Sequence, residues 1–279
     1  MDDLTLFDAP PAKPRAYLLT NNNTDLARDN IFTWTLPAWW VTLSSGAKYN
    51  VCPEASACGR MCFAYDSTSS YKRFPGVRAS HLRNLELTLD HLSTWEGWMI
   101  AELRRPRYAA NARVRIHDSG DFHSIPYTRA WFKIMKSAPH VRFYAYTKAV
   151  TTLRTVIAEM GEPVNFDYRF SLGGTEDHLI DTANDRHADV FPDAAALEAA
   201  GYVDQATSDL IAAGPDIKVG MVANRLARTR RRQGGKSFSE HQQADAAAQL
   251  ERAGQAAARR AAQRAAAPVD LGALSHTSQ

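Results

Sequence analysis

Only three cysteines occur in the 279 residues, at positions 52, 58 and 62. So small and odd a set argues against a disulfide framework. Its confinement to one short segment points to a reducing compartment and a metal site. No stretch approaches eighteen consecutive apolar residues, so no transmembrane helix and no membrane association are expected. The opening Met1-Asp2-Asp3-Leu4 lacks the basic start and apolar stretch of a signal peptide, and a cytoplasmic location is expected. Charge of one sign is also lacking, because 33 basic residues nearly balance 30 acidic ones and leave +3. The total therefore names no partner, and the distribution has to be read instead. No internal repeat of fixed period is found. With 45% apolar and 23% charged residues the chain can bury a sizeable core, which excludes a wholly disordered or collagen-like protein.

Three regions follow from composition. Residues 1–30 read as an irregular N-terminal arm, with Pro10, Pro11, Pro14 and three asparagines at 21–23. Residues 31–236 read as an α/β catalytic domain. Strands are expected within 31–43 and at 113–116, 141–146, 164–172, 189–191 and 217–222. A long amphipathic helix is expected over 76–105, and further helices at 126–136, 151–160, 177–184, 194–200 and 205–213. Strands alternating with helices of this length predict βαβ units and a parallel sheet. The fold expectation is a compact or incomplete (β/α) barrel with a cysteine-containing metal loop, and a doubly wound open sheet competes with it. Residues 237–279 read as an Ala/Arg-rich helical tail, with thirteen alanines between 241 and 267 and a partly disordered end from 268 onward.

Cys52, Cys58 and Cys62 lie six and four residues apart in a turn-rich loop, close enough for their thiolates to converge on a soft metal. Zinc is favoured, with His81 as fourth ligand and His91 as the other candidate. A [4Fe–4S] cluster with S-adenosylmethionine is the alternative, using three cysteines and leaving one iron open. Three separately buried thiols is the bland alternative.

His117-Asp118-Ser119-Gly120-Asp121-Phe122 runs from an expected strand into a glycine turn, at the end of the sheet where parallel α/β proteins place ligands. Two carboxylates three apart can divide acid–base and nucleophilic work, although Asp121 or Ser124 could equally cap the next helix. Tyr146 and Lys148 end the next strand. Gly173 and Gly174 end the one after, where a backbone without Cβ can approach a ligand. Arg225, Arg228, Arg230, Arg231, Arg232 and Lys236 crowd one acid-free stretch and read as a DNA-phosphate surface.

The Asp118–Phe122 segment resembles the Asp-Ser-Gly-Gly-aromatic motif of tRNA-guanine transglycosylases. Blocks 52–65, 115–122 and 143–148 resemble phage proteins of the gene product 88 family. The resemblance implies a phage-encoded enzyme, acting in the host cytoplasm, that exchanges guanine in DNA for a 7-deazaguanine such as the 7-cyano form. It assigns acid–base work to Asp118, with Asp121 and Asp167 as nucleophile candidates. His117, Ser119, Gly120, Phe122, Tyr146, Lys148, Gly173 and Gly174, at these strand ends, are the expected substrate contacts. DNA and a 7-deazaguanine base are the implied partners. The alternatives are an iron–sulfur enzyme of the radical S-adenosylmethionine type and a non-catalytic DNA-binding module.

Overall fold

The structure is a computed structural model described over residues 17–223 and 226–266. Most of the expected N-terminal arm (1–16), Arg225 and the expected frayed end from 268 lie outside the described residues. Two compact units are divided after Gln242, and the first holds all the strands. The described residues of the second, 243–266, are helical and largely exposed, with Leu250 at 75%. Among the described residues no helix is long and apolar enough to cross a membrane.

Residues 17–30 are built in rather than loose. Leu18, Leu19 and Leu26 are buried, and Asn23 caps α1 (Thr24–Arg28) by accepting from the amides of Asp25 and Leu26. The wholly buried β1 (Ile31–Trp34) leads into a hairpin of β2 (Trp40–Thr42) and β3 (Lys48–Asn50). The cysteine loop follows, with the short α2 (Ala57–Met61) at its centre, then α3 (Ser70–Arg73), α4 (Pro75–Asp90) and α5 (Leu92–Leu103). The single helix expected over 76–105 is therefore two, parted at His91, whose backbone leaves the helical region. The apolar spacing runs on across the break, which hides it from periodicity.

Six more parallel strands then alternate with helical or irregular connections: β4 (Arg113–Ile116), α6 (Ile125–Ser137), β5 (Arg142–Thr147), α7 (Val150–Met160), β6 (Phe166–Ser171), β7 (His187–Phe191), α8 (Ala194–Ala199), β8 (Val203–Asp204) and β9 (Lys218–Val222). The sheet has seven strands in the order β1-β4-β5-β6-β7-β9-β8, all pairings parallel, with β1 and β8 at its edges. It is open, and the described strands do not close a barrel. The helices expected at 177–184 and 205–213 are single 3-10 turns, Asp177–Leu179 and Asp209–Ile211. Two helices, α9 (Ala227–Gln233) and α10 (Phe238–Ala266), complete the chain.

Strand alternation sorts the two faces of the sheet. Val114, Ile116, Phe143, Ala145, Phe166 and Phe170 pack with Trp95, Trp131 and Leu153 of α5, α6 and α7 in the main core. The residues between them, Arg115, Tyr144, Tyr146 and Arg169, belong to the opposite face. Arg169 organises that face. Its buried guanidinium donates to the carbonyls of Ile211, Ala212, Gly214, Asp216 and Ile217, and burial pulls it down to about 10. Those bonds hold the segment before β9 against the sheet and bring Asp209 within 2.8 Å of Arg115.

Candidate functional site

A cavity of about 480 Å³ opens at the carboxyl ends of the parallel strands. Its lining includes Cys52, Cys58 and Cys62, the β4 rim from His117 to Asp121, Tyr146, Thr147 and Lys148 after β5, and Ser171 of β6. Thr229 and Gln233 of α9 and Phe238 of α10 complete one wall.

The cysteine loop is clipped to the sheet by backbone bonds. The Cys58 amide donates to the Gly173 carbonyl at 3.0 Å, and the Thr175 amide donates to the Glu54 carbonyl at 2.9 Å. Gly173 and Gly174 make this approach possible. A Cβ on Gly174 would stand 2.9 Å from the Glu54 carbonyl oxygen, and one on Gly173 2.9 Å from Phe238 Cβ. The close approach expected for a ligand is thus made by the protein's own cysteine loop. Asp177 fixes the turn by accepting from both glycine amides at 2.8 Å.

All three thiols are free and half-buried. Burial, then the neighbouring Cys58, pushes the Cys62 thiol up to about 12, and burial with Asp121 raises Cys52 well above its ordinary value. Lys148 is buried beside them. Its ammonium gives its donors to the Ser171 carbonyl (3.0 Å), Ser171 Oγ (2.8 Å) and the Leu172 carbonyl (3.0 Å), all neutral oxygens.

The two turn aspartates differ in role. Asp121 accepts from the Phe122 amide (2.7 Å), Thr147 Oγ1 (2.6 Å) and the Lys148 amide (2.9 Å), tying the β4 turn to the end of β5. Burial raises its pKa, against the pull of those bonds. Asp118 keeps 24% of its side chain exposed, accepts from the Tyr71 hydroxyl and lies 3.6 Å from Arg115. Ser124 caps α6, so neither aspartate is needed there. Gly120 turns the chain at φ +92, where a Cβ would meet Leu36 Cβ at 2.6 Å. His117 takes a left-handed φ of 67, points Nε2 at the Tyr127 hydroxyl (2.9 Å), and is kept neutral by burial. The Ser119 carbonyl accepts from the Leu36 amide at 2.9 Å.

Several expected site residues lie elsewhere. Asp167 sits near the start of β6, not at the ligand end, and is paired with Arg142 (2.7 Å) and Arg186 (3.2 Å). Those guanidiniums occupy the carboxylate, which is not a nucleophile in this cavity. Phe122 is fully buried in the main core, edge-on to His117, and contacts no ligand space. His81 packs against Tyr71, with ring centres 5.4 Å apart, and lines a separate groove with His91 instead of the cysteine cavity. Arg228, Arg230, Arg231, Arg232 and Lys236 are exposed on and after α9, outside the cavity.

His81, the expected fourth zinc ligand, lies outside the cysteine cavity. A four-ligand zinc site needs all its donors within about 2.0–2.3 Å of one ion. Among the described residues no three His, Cys, Asp or Glu side chains are gathered around one ion position.

Sequence reasoning missed Tyr71, Asp209, Gln205, Gln233 and Phe238. Gln205 accepts from the Tyr146 hydroxyl, and Asp209 accepts from Arg115 and, at 2.7 Å, from Tyr144. The one available signal was Arg115, a charge between the apolar Val114 and Ile116 that needs an anionic partner when buried.

A model of the family described as "Gene product 88" matches residues 17–264. The gene 88 protein of Mycobacterium phage L5 is 33% identical over 117 residues, covering 40% of this chain and 48% of that protein. The gene 88 protein of Mycobacterium phage D29 is 30% identical over 118 residues, with the same coverage. The alignments thus span about half the length of these curated relatives. No solved structure matches. With the family pattern running through nearly all of the described residues, the chain belongs to the gene product 88 family.

Proposed function

We propose that the protein is an iron–sulfur enzyme of the radical S-adenosylmethionine type, with Cys52, Cys58 and Cys62 holding a [4Fe–4S] cluster. The observation that carries this reading is that three free thiols line one cavity at the carboxyl ends of parallel strands. The neighbour order follows the chain from β1 through β4, β5, β6 and β7, as in an incomplete (β/α) barrel, and reverses at the β9-β8 edge. A bound cluster of this kind supplies one electron for cleaving a sulfonium carbon–sulfur bond. The chain's own residues do the rest. Lys148, buried beside the cysteines, would stand next to the thiolates of a bound cluster. Asp118, Tyr146 and Gln205 line the same cavity and offer polar groups to a nucleoside-sized ligand.

Anaerobic reconstitution with iron and sulfide tests the reading. About four irons per chain, with visible charge-transfer absorbance, are expected. Cleavage of S-adenosylmethionine under reduction should follow. One zinc and no iron after anaerobic purification would overturn it.

A second reading, exchange of guanine in DNA for a 7-deazaguanine, rests on Asp118. Of the three aspartates the resemblance implicates, only Asp118 combines a place in the cavity lining with a partly open edge. It requires modified nucleosides in plasmid DNA from cells supplied with the precursor, and their loss in Asp118→Asn.

A further inference from the structure

The short helix α2 has a second side. Across it from the cysteines lies a cleft of about 590 Å³ whose lining includes Trp39, Gly59, Tyr65, Asp66, Arg228 and Arg232. Met61 lines both spaces, so α2 is a shared wall.

We propose that this cleft binds single-stranded nucleic acid, with Arg228 and Arg232 on the phosphates and Trp39 and Tyr65 against the bases. Arg228 and Arg232 are four apart on α9 and therefore share a face, a like-charge pair that mildly destabilises a helix on its own. Among the described residues neither guanidinium has a carboxylate within ion-pair distance. Arg232 donates to the Arg60 carbonyl at 3.0 Å. The one acid lining the cleft, Asp66, has an oxygen occupied by the Thr68 amide and hydroxyl (2.9 and 2.7 Å). Arg60, Arg228 and Arg232 all line a cleft with one carboxylate in its lining, and Lys72 stands over the Tyr65 ring at 4.5 Å.

The aromatic side is held in place independently. Trp39 adopts φ 53, a costly conformation for so bulky a residue. That backbone lays the indole against Gly59, where a Cβ would come within 2.7 Å of the ring. Tyr65 meets it edge-on at 5.3 Å. Phosphate charge alone would be met by the arginines. Rings in the same cleft add contacts for flat faces, and a duplex hides its base faces while a single strand exposes them. An acidic peptide would satisfy the arginines and leave the rings unused. The proposal does not depend on which cofactor the cysteines hold.

Fluorescence anisotropy with labelled oligothymidine, its duplex with oligoadenine, and polyglutamate as competitor tests it over a salt series. The single strand should bind more tightly than the duplex and resist polyglutamate. Arg228→Ala with Arg232→Ala should weaken binding and lower the salt slope by roughly 1.4, two contacts at about 0.7 each. Arg230→Ala with Arg231→Ala, exposed on the same helix outside the cleft, should change affinity by less than about twofold on the same reasoning. Trp39→Leu should cost roughly tenfold and Trp39→Phe much less. If Trp39→Leu does not fold, the two arginine pairs decide. Equal losses from both pairs, equal duplex binding, displacement by polyglutamate, or no binding by the unaltered chain would each overturn the assignment.

Discussion

The two sides of α2 solve the problem of holding charge in opposite ways. On the inner side the cation is Lys148, buried, with its donors committed to the Ser171 and Leu172 oxygens, and the thiols around it are pushed toward their neutral forms by burial. On the outer side the cations are arginines that stay in water. The inner site is therefore a matter of backbone position, since Gly120, Gly173 and Gly174 let segments approach where a Cβ would collide. The outer site is a matter of side chains on a short helix. Damage to one should leave the other working.

The largest expected effect is on the inner side. On the proposed reading, serine at Cys52, Cys58 or Cys62 should abolish iron retention, because three thiolates would then be the whole protein ligand set and an alcohol is a poor ligand for iron in such clusters. Oligothymidine binding by the same variants should persist. Loss of both together would show that the cleft and the cavity are one unit.

Next comes the brace under the sheet. Arg169→Met leaves buried carbonyls of the 211–217 segment without their donor, at a cost of about 3–5 kcal/mol. Urea unfolding reads the cost. Because Arg169 positions the segment that carries Asp209, the variant should also loosen the Arg115–Asp209 pair while sparing the cleft.

Gly120→Ala is smaller, on the order of 3 kcal/mol, from a positive φ combined with a steric overlap against Leu36. Equilibrium unfolding measures it. Gly46→Ala, at φ +85 but facing open space, isolates the backbone share of the penalty and should cost only about 1 kcal/mol.

Local signals made much of this legible from sequence. The strand alternation of Val114, Ile116, Phe143 and Ala145 located the sheet, and the tight cysteine spacing located one wall of the cavity. The turn at Gly120 located another. What stayed hidden depends on where a residue falls along its strand or on distant partners. Asp167 resembled Asp118 as an acid associated with a strand, yet it lies at the opposite end of its strand, between two arginines. His81 had suitable chemistry but emerges on the far side of Tyr71. Asp209 belongs to a segment with no pattern of its own and is placed by Arg169, forty residues earlier. The 3-10 turn at Asp209–Ile211, begun by Ser208 accepting from the Leu210 amide, replaced an expected helix because Arg169 claims the carbonyls just beyond it.

The last effect separates the two sides by pH. His123 is buried, stacked on Tyr127 at 4.4 Å with Nδ1 3.0 Å from the Tyr49 hydroxyl, and burial pulls it down to about 4 from 6.5. Its folded form therefore binds fewer protons than the unfolded chain between pH 6.5 and 4, so stability falls as pH drops through that window. Between pH 7 and 5 the loss from this one group is about 2 kcal/mol. His117, also held neutral by burial, adds a loss of the same sign. Arginines remain charged throughout the window, so the outer cleft should keep its oligonucleotide affinity as long as the chain is folded. His123→Phe keeps a ring against Tyr127 and cannot take the proton. Urea melts at both pH values should therefore show the acid-induced loss reduced by about 2 kcal/mol in the variant. An undiminished loss would place the acid sensitivity elsewhere, with His117 as the remaining buried imidazole beside Tyr127.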